Sequence, residues 1–325
     1  MNPLVSVIIP TCADVLRAPL LWRAIGSLLV NQDDLVLPVV AVNGSRYLPE
    51  ALNALRQRRD IRCIFVEEAS TTSARLAARR VVDTEFFGML DDDDEYLPGT
   101  AKVQIGPLLG DPSIDVVVTN GYRRENGQDV LNFPEFSTFQ QDPLRSLMES
   151  AWLNSGGFLC RSETVSSSYL EVPRSMELTY MAMRLALSRK LQFLDTPTYR
   201  WHRDTPRPQS RSKYYMEGAP EAIGKMLALN PPAQIKRRLA RKYAASLHSL
   251  SDWERMDGNY RAAWLYHLRS LLSFYGIKYF SYTRHLVHFG QERQPVPPPE
   301  DLRAARLARP DVAPLDRGAG QEPTR

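Results

Sequence analysis

The first ninety residues alternate between short β-branched runs and longer stretches with helical spacing. Val5 to Ile9 is an apolar run stopped by Pro10, the pattern of a strand covered on both faces of a parallel sheet. Leu20, Leu21, Ala24, Ile25, Leu28 and Leu29 then recur on one helical face, and Asn31 ends the pattern. Val36 to Val42 predicts a second strand, stopped by the turn dipeptide Asn43-Gly44. A helix over 49–58, a strand over Ile61 to Val66, a helix over Ser73 to Val82 and a strand over Phe86 to Leu90 follow. That last strand runs directly into Asp91-Asp92-Asp93-Asp94. Strands and helices alternating at this spacing predict βαβ units, hence an α/β sheet with helices on both faces.

Periodicity is weaker farther on. A strand over Asp115 to Thr119, a short helix over Pro143 to Glu149, a strand after Asn154-Ser-Gly-Gly-Phe158, a helix over Met176 to Ser188 and extended chain over Leu191 to Trp201 are expected. Residues 206–214 predict a polar loop. Helical spacing over 233–249 and 259–273 predicts a helical hairpin, and the proline-rich segment 291–325 predicts disorder. The expected division is 1–220 as the α/β body, 221–290 as a basic, aromatic helical appendage and 291–325 as the tail.

Charge sharpens this division. The chain of 325 residues nets +4, too little to argue for nucleic acid as a partner. Residues 233–290, however, hold ten Lys or Arg against three acids, a local excess of 10 − 3 = +7. These charges are interleaved with aromatic residues such as Tyr243, Trp253, Tyr260, Trp264 and Phe280, a composition that fits peripheral contact with an anionic membrane as well as plain packing on the body. Cys12, Cys63 and Cys160 are too widely spaced for a disulfide framework or structural zinc site. The apolar start is too short to span a membrane, and a cytoplasmic protein with peripheral contact to the inner membrane face is expected.

In open α/β sheets ligands bind beyond the carboxyl ends of the strands, where Thr11, Asn43, Glu67-Glu68 and the aspartate run all fall. Adjacent carboxylates repel unless solvent or a cation separates them, so a hard divalent ion, Mg²⁺ or Mn²⁺, is the expected occupant.

Val5-Ser-Val-Ile-Ile-Pro-Thr11 and Phe87-Gly-Met-Leu-Asp-Asp-Asp-Asp-Glu-Tyr-Leu-Pro98 resemble the two signatures of family 2 glycosyltransferases, which have the GT-A fold. Ser27 with Gln32, and Ser73-Ala-Arg75, extend the resemblance, which covers residues 4–203 and is strongest over the first hundred. It implies a metal-dependent, inverting transferase that moves a sugar from a nucleotide diphosphate, UDP by preference, to a hydroxyl of a glycan or lipid-linked acceptor. Pro10, Thr11, Asn43, Ser73, Arg75, Asp91 and Asp92 would bind the nucleotide sugar. Asp93 and His202 would hold the metal, Glu177 would be the base, and Trp152, Gly156 and Gly157 would face the acceptor. The neighbouring Arg203, Arg207 and Arg211 fit a clamp for phosphate and equally a solvated loop. Two departures stand out: Asn43 replaces the family's base-reading aspartate, and Leu178 replaces the second member of its acidic pair. Two alternatives were weighed. A sugar-1-phosphate nucleotidyltransferase would want a glycine-rich loop, which residues 11–17 lack. A degenerate, glycan-binding scaffold would account for Leu178.

Overall fold

Every residue of β1 (Val5–Thr11) is buried, as a strand with no polar face must be when sheet neighbours flank it and helices cover both sides. A computed structural model describes residues 3–203 and 213–287 of the chain. After β1 come α1 (Ala18–Leu29), β2 (Val36–Asn43), α2 (Pro49–Gln57), β3 (Arg62–Val66), α3 (Thr71–Arg80) and β4 (Phe86–Met89). The next elements are β5 (Glu95–Tyr96), α4 (Thr100–Gly110), β6 (Val116–Glu125), β7 (Gln128–Leu131), α5 (Pro143–Glu149), β8 (Phe158–Arg161), α6 (Glu177–Ser188) and β9 (Leu191–His202). The helical part holds α7 (Lys213–Ala228), α8 (Ala233–Met256), α9 (Tyr260–Leu272), a 3₁₀ turn (Gly276–Tyr282) and α10 (Thr283–Val287).

The strands form one sheet in the order β3-β2-β1-β4-β8-β6-β9-β5, with β7 paired to β6. Its first half is parallel: β1 lies between β2 and β4, and β3 pairs β2. β8 is antiparallel to both β4 and β6. The alternation of side chains along each strand divides the interior into two cores. Val5, Val7 and Ile9 join Leu21, Ile25 and Leu28 of α1 in one, while Ile8, Val39 and Phe87 join Ala74 and Ala78 of α3 and the α6 residues Met181 and Leu185 in the other. Each fully buried aliphatic side chain contributes roughly 1.5–3 kcal/mol. Such packing makes the first half of the sheet a rigid platform.

Three differences from the expected elements have local causes. α4 was not expected, because Gly106, Pro107 and Gly110 break its helical pattern, and Pro107 sits inside the helix. α7 was missed for a similar reason: Gly218, Pro220 and Gly224 interrupt it, and it crosses the expected boundary at residue 220. β6 extends well past Thr119 into a hairpin with β7 over Asn126-Gly127, both with positive φ. An Asn-Gly pair between strand-like runs is a hairpin signal that the sequence reading did not use. The expected loop over 206–214 falls mainly outside the described residues, as does the 291–325 tail.

Candidate active site

The carboxyl ends of β1, β2 and β4 bring Thr11, Asn43 and the residues after Met89 to one rim, because the parallel registers set Ile8 beside Met89 and Thr11 beside Val42. At this rim the aspartates form a tight turn, with the Asp94 N–H donating to the Asp91 carbonyl (3.1 Å). Each aspartate then faces a different set of partners. Arg75 of α3 donates to Asp91 (2.6 Å), as does the Ser155 hydroxyl (3.1 Å). The Thr11 hydroxyl donates to Asp92 (2.6 Å), and Arg17 bridges Asp92 (2.8 Å) and Asp93 (2.9 Å). Asp94 accepts the backbone N–H of His202 (3.0 Å).

One carboxylate oxygen each from Asp91, Asp93 and Asp94 lie within 4.8 Å of one another, forming a group of three hard oxygen donors. Asp94 was not among the expected metal ligands, although the aspartate run contains it. His202 is not one of the three. Its Nε2 lies 2.6 Å from Glu95 Oε1, so the structure gives this nitrogen to a carboxylate beside the group. Glu95 also pairs with Arg23 (3.2 Å) and Arg200 (3.5 Å).

Burial dominates the electrostatics here. It pushes the Asp92 carboxyl up to about 7, against the opposing pull of Arg17 and Thr11. It raises Asp94 as well, with Asp91 and Asp93 adding repulsion. Burial lowers the His202 imidazole and so favours the neutral ring, while its bond to Glu95 pulls the other way.

Glu177 opens α6 behind Met176, whose left-handed backbone (φ 56°) turns the chain into the helix. Its carboxylate lies 3.8 Å from Arg75 Nη1, so one buried guanidinium links Glu177 to Asp91. Burial raises Glu177 above the ordinary carboxylate range, and Arg75 partly offsets this. Tyr215 of α7 closes the neighbourhood, its hydroxyl oxygen accepting the Met176 backbone N–H at 3.0 Å. Arg75 Nε has no partner among the described residues, leaving one buried donor aimed from this linkage without an acceptor. Leu178, at the place of the missing second acid, packs against the larger core.

Other expected site residues have structural duties. Asn43 donates to the Thr11 carbonyl (2.9 Å), while Pro10 is buried beside Ala41. Ser73 donates to Glu68 (2.7 Å), and its N–H is capped by Ser70 (3.2 Å). Arg203 pairs with Glu125. Arg207 and Arg211 lie outside the described residues.

The acceptor-side expectation needs correction. Trp152 is fully buried, donates to the Pro143 carbonyl (2.9 Å) and packs edge-on to Phe193, so no ring face is open to a sugar. Gly156 and Gly157 are also buried. A Cβ at either would press on Tyr199, at 2.8 and 2.6 Å, and Gly156 has φ +83°. These glycines make room for Tyr199 rather than for a ligand. In that segment it is their neighbour Ser155 that reaches the aspartates, through its bond to Asp91. Arg17, Arg23 and Ser155 were missed because only tertiary contact brings them to the aspartates, and Glu95, which directly follows Asp94, because only the fold shows that it holds His202.

An open α/β sheet carrying an aspartate cluster at the rim beyond β4 is the architecture of GT-A glycosyltransferases. The model of glycosyl transferase family 2 matches residues 6–166, and the chain belongs to that family. It is therefore a glycosyltransferase and not a nucleotidyltransferase. Among solved structures, S. aureus TarS 1-349 is similar at 17% identity and a TM-score of 0.51, over 80% of this chain and 74% of that one. TarS 1-349 in complex with UDP-GlcNAc gives 17% identity and 0.53, over 80% and 75%. The longer TarS chain gives 16% and 0.51, over 85% and 54%. At such identity the likeness is one of fold. No curated protein matches the chain by sequence.

Proposed function

We propose that the protein is a metal-dependent, inverting glycosyltransferase that moves a sugar from a UDP-linked donor to a hydroxyl of a glycan or lipid-linked acceptor, in cell-surface polysaccharide or glycolipid synthesis. The observation that carries this reading is the linkage of Asp91, Arg75 and Glu177, which couples an oxygen-rich cation site to a half-buried carboxylate through one guanidinium. The donor assignment draws support from the similarity to a TarS structure holding UDP-GlcNAc.

The three aspartates fit a divalent cation: all their donors are hard oxygens, and mutual repulsion is relieved by positive charge. Asp91, Asp93 and Asp94 would hold Mn²⁺ or Mg²⁺. Such an ion supplies Lewis-acid stabilisation of charge on a leaving diphosphate. Arg75 holds Asp91 in place and presents further donors toward the same charge. Glu177, raised by burial yet kept ionisable by Arg75, accepts the proton of the acceptor hydroxyl. Thr11 and Asn43 shape the nucleotide end of the rim. His202, held by Glu95, orders the strand end beside Asp94.

The catalytic body would comprise residues 1–220, and residues 233–290 would bring it to the inner face of a membrane carrying the acceptor. Hydrolysis of a panel of nucleotide sugars with Mn²⁺ tests the central claim, and no turnover of any donor would overturn it. Calorimetry adds a second test. UDP binding in Mn²⁺ should weaken at least about 10-fold in Asp93→Ala, and equal binding without metal would refute the ion assignment.

A further inference from the structure

The appendage has an inner and an outer face of opposite character. On α9, Ala263, His267 and Ser270 are buried, the last bonding through its hydroxyl to the Ala244 carbonyl of α8 (3.0 Å). On the opposite side Leu265, Leu268 and Leu272 are exposed at spacings of three and four residues, one stripe along the helix. The chain then continues with exposed Phe274, Ile277 and Phe280. Ile277 and Phe280 stand three apart in the 3₁₀ turn, where such residues eclipse and share a side. Leu272 and Phe274 are 87% and 86% exposed, so they pack on almost nothing in the protein. A run of six large exposed apolar side chains is too extended to count as scattered surface residues.

The charge around this run identifies what it meets. Residues 258–287 contain four basic residues (Arg261, Arg269, Lys278 and Arg284) and no Asp or Glu, and all four basic residues are exposed. The acids that precede them are already paired: Asp252 with Arg255 (2.8 Å), and Glu254 and Asp257 with Lys213 (2.8 and 3.8 Å). A cationic apolar face brought against its own copy would set like charges together. Against an anionic bilayer, the same face buries its leucines and phenylalanines while its basic rim meets phosphate headgroups. No helix among the described residues is long and apolar enough to cross a membrane.

We infer that residues 265–287 form a surface for an anionic lipid bilayer, on which the protein lies through α9 and the 3₁₀ turn while α8 packs behind α9. This narrows the membrane part of the proposed function to one face, and it stands or falls independently of the transfer chemistry. The test is flotation of the full chain with vesicles of phosphatidylcholine alone or mixed with phosphatidylglycerol, using wild type and the double variant Leu272→Glu/Phe274→Glu. Both side chains are exposed, so the variant should keep its circular dichroism and its nucleotide-sugar hydrolysis in the absence of vesicles. Wild type should float with the anionic vesicles and the double variant should bind roughly 10-fold more weakly or worse, with neutral vesicles capturing little of either. Absence of wild-type binding, or equal binding by the double variant, would overturn the inference. So would light scattering that shows a wild-type dimer converted to monomer by the double substitution, because the face would then serve a second copy. Loss of hydrolysis with vesicle binding intact would strike the transfer reading alone.

Discussion

The rim beyond β4 and the outer face of α9 break the usual distribution of residues in opposite ways. At the rim, charged groups are drawn inward: Asp92, Asp94 and Arg75 are buried, and each is matched to a named partner. On α9, apolar groups are pushed outward, with Leu265, Leu268 and Leu272 facing away from α8. Burying charge costs stability unless pairing offsets it, and exposing large apolar groups forgoes the gain of covering them. Neither arrangement is explained by the fold alone. Under the proposed function each answers to something that arrives from outside: positive charge and phosphate at the rim, and a surface at the helix. Within the protein itself, Arg17 bridges two of the rim carboxylates.

The largest expected effect tests whether the rim's buried charge is chemical or merely structural. Glu177→Gln keeps shape and burial but removes the proton acceptor. Turnover should fall by about 10²–10⁴-fold with UDP affinity unchanged, measured by steady-state kinetics alongside calorimetry. Unchanged turnover would leave Glu177 as a helix-opening residue near Arg75 and nothing more. Trp152→Ala probes the boundary between site and interior from the other side. Its indole is wholly enclosed, so truncation should destabilise the fold by about 3–5 kcal/mol, seen in denaturant unfolding, while the KM for donor in the folded fraction stays put. A selective rise in the KM for acceptor with little loss of stability would return Trp152 to the acceptor site.

Much of this comparison was legible in the sequence, and the parts that were not share a cause. β1, β2 and β4 could be read because central parallel strands are apolar on both faces, a local pattern that needs no knowledge of neighbours, and the edge strand β3 because its Cys63-Ile-Phe-Val66 run is still apolar. The aspartate run was equally visible. What local pattern could not show was which residues from elsewhere meet it. Arg17 follows β1 in an irregular stretch, and Ser155 precedes a pair of glycines that drew the acceptor assignment to themselves. Those glycines are explained by Tyr199, a residue on β9 whose ring fills the space they leave. In the appendage, the basic and aromatic content was plain, but its division between faces was not. Tyr243 packs inward, whereas Phe274 and Phe280 point out.

Arg75 offers a sharper probe of how the rim tolerates its charge. It lowers Glu177 against the upward push of burial. Arg75→Gln should therefore raise the Glu177 pKa further, moving the acid limb of the kcat profile to higher pH, since the base works only when deprotonated. Arg75→Lys loses the guanidinium geometry but keeps the positive charge, so its limb should stay nearer to wild type even if its maximal rate falls. The measurement is kcat against pH for all three proteins at saturating donor. Coincident limbs would show that Arg75 does not act on the base, and the two groups would then be neighbours without electrostatic coupling.

The smallest effect falls on the helix, and its smallness is the point. Leu268 and Leu250 are both leucines of the appendage, but Leu250 is buried on α8 and Leu268 is 51% exposed on α9. Leu250→Ala removes packed methyl groups and should cost about 2–5 kcal/mol. Leu268→Ser should change stability by no more than about 0.5 kcal/mol, because the side chain gives up little contact in the protein itself. Chemical denaturation of the two variants against wild type compares them directly. If Leu268→Ser proved as costly as Leu250→Ala, the outer stripe would already be covered within the folded chain, and its exposure could no longer be assigned to a partner. A near-zero cost would separate the leucines that hold the helices together from those that the fold leaves open.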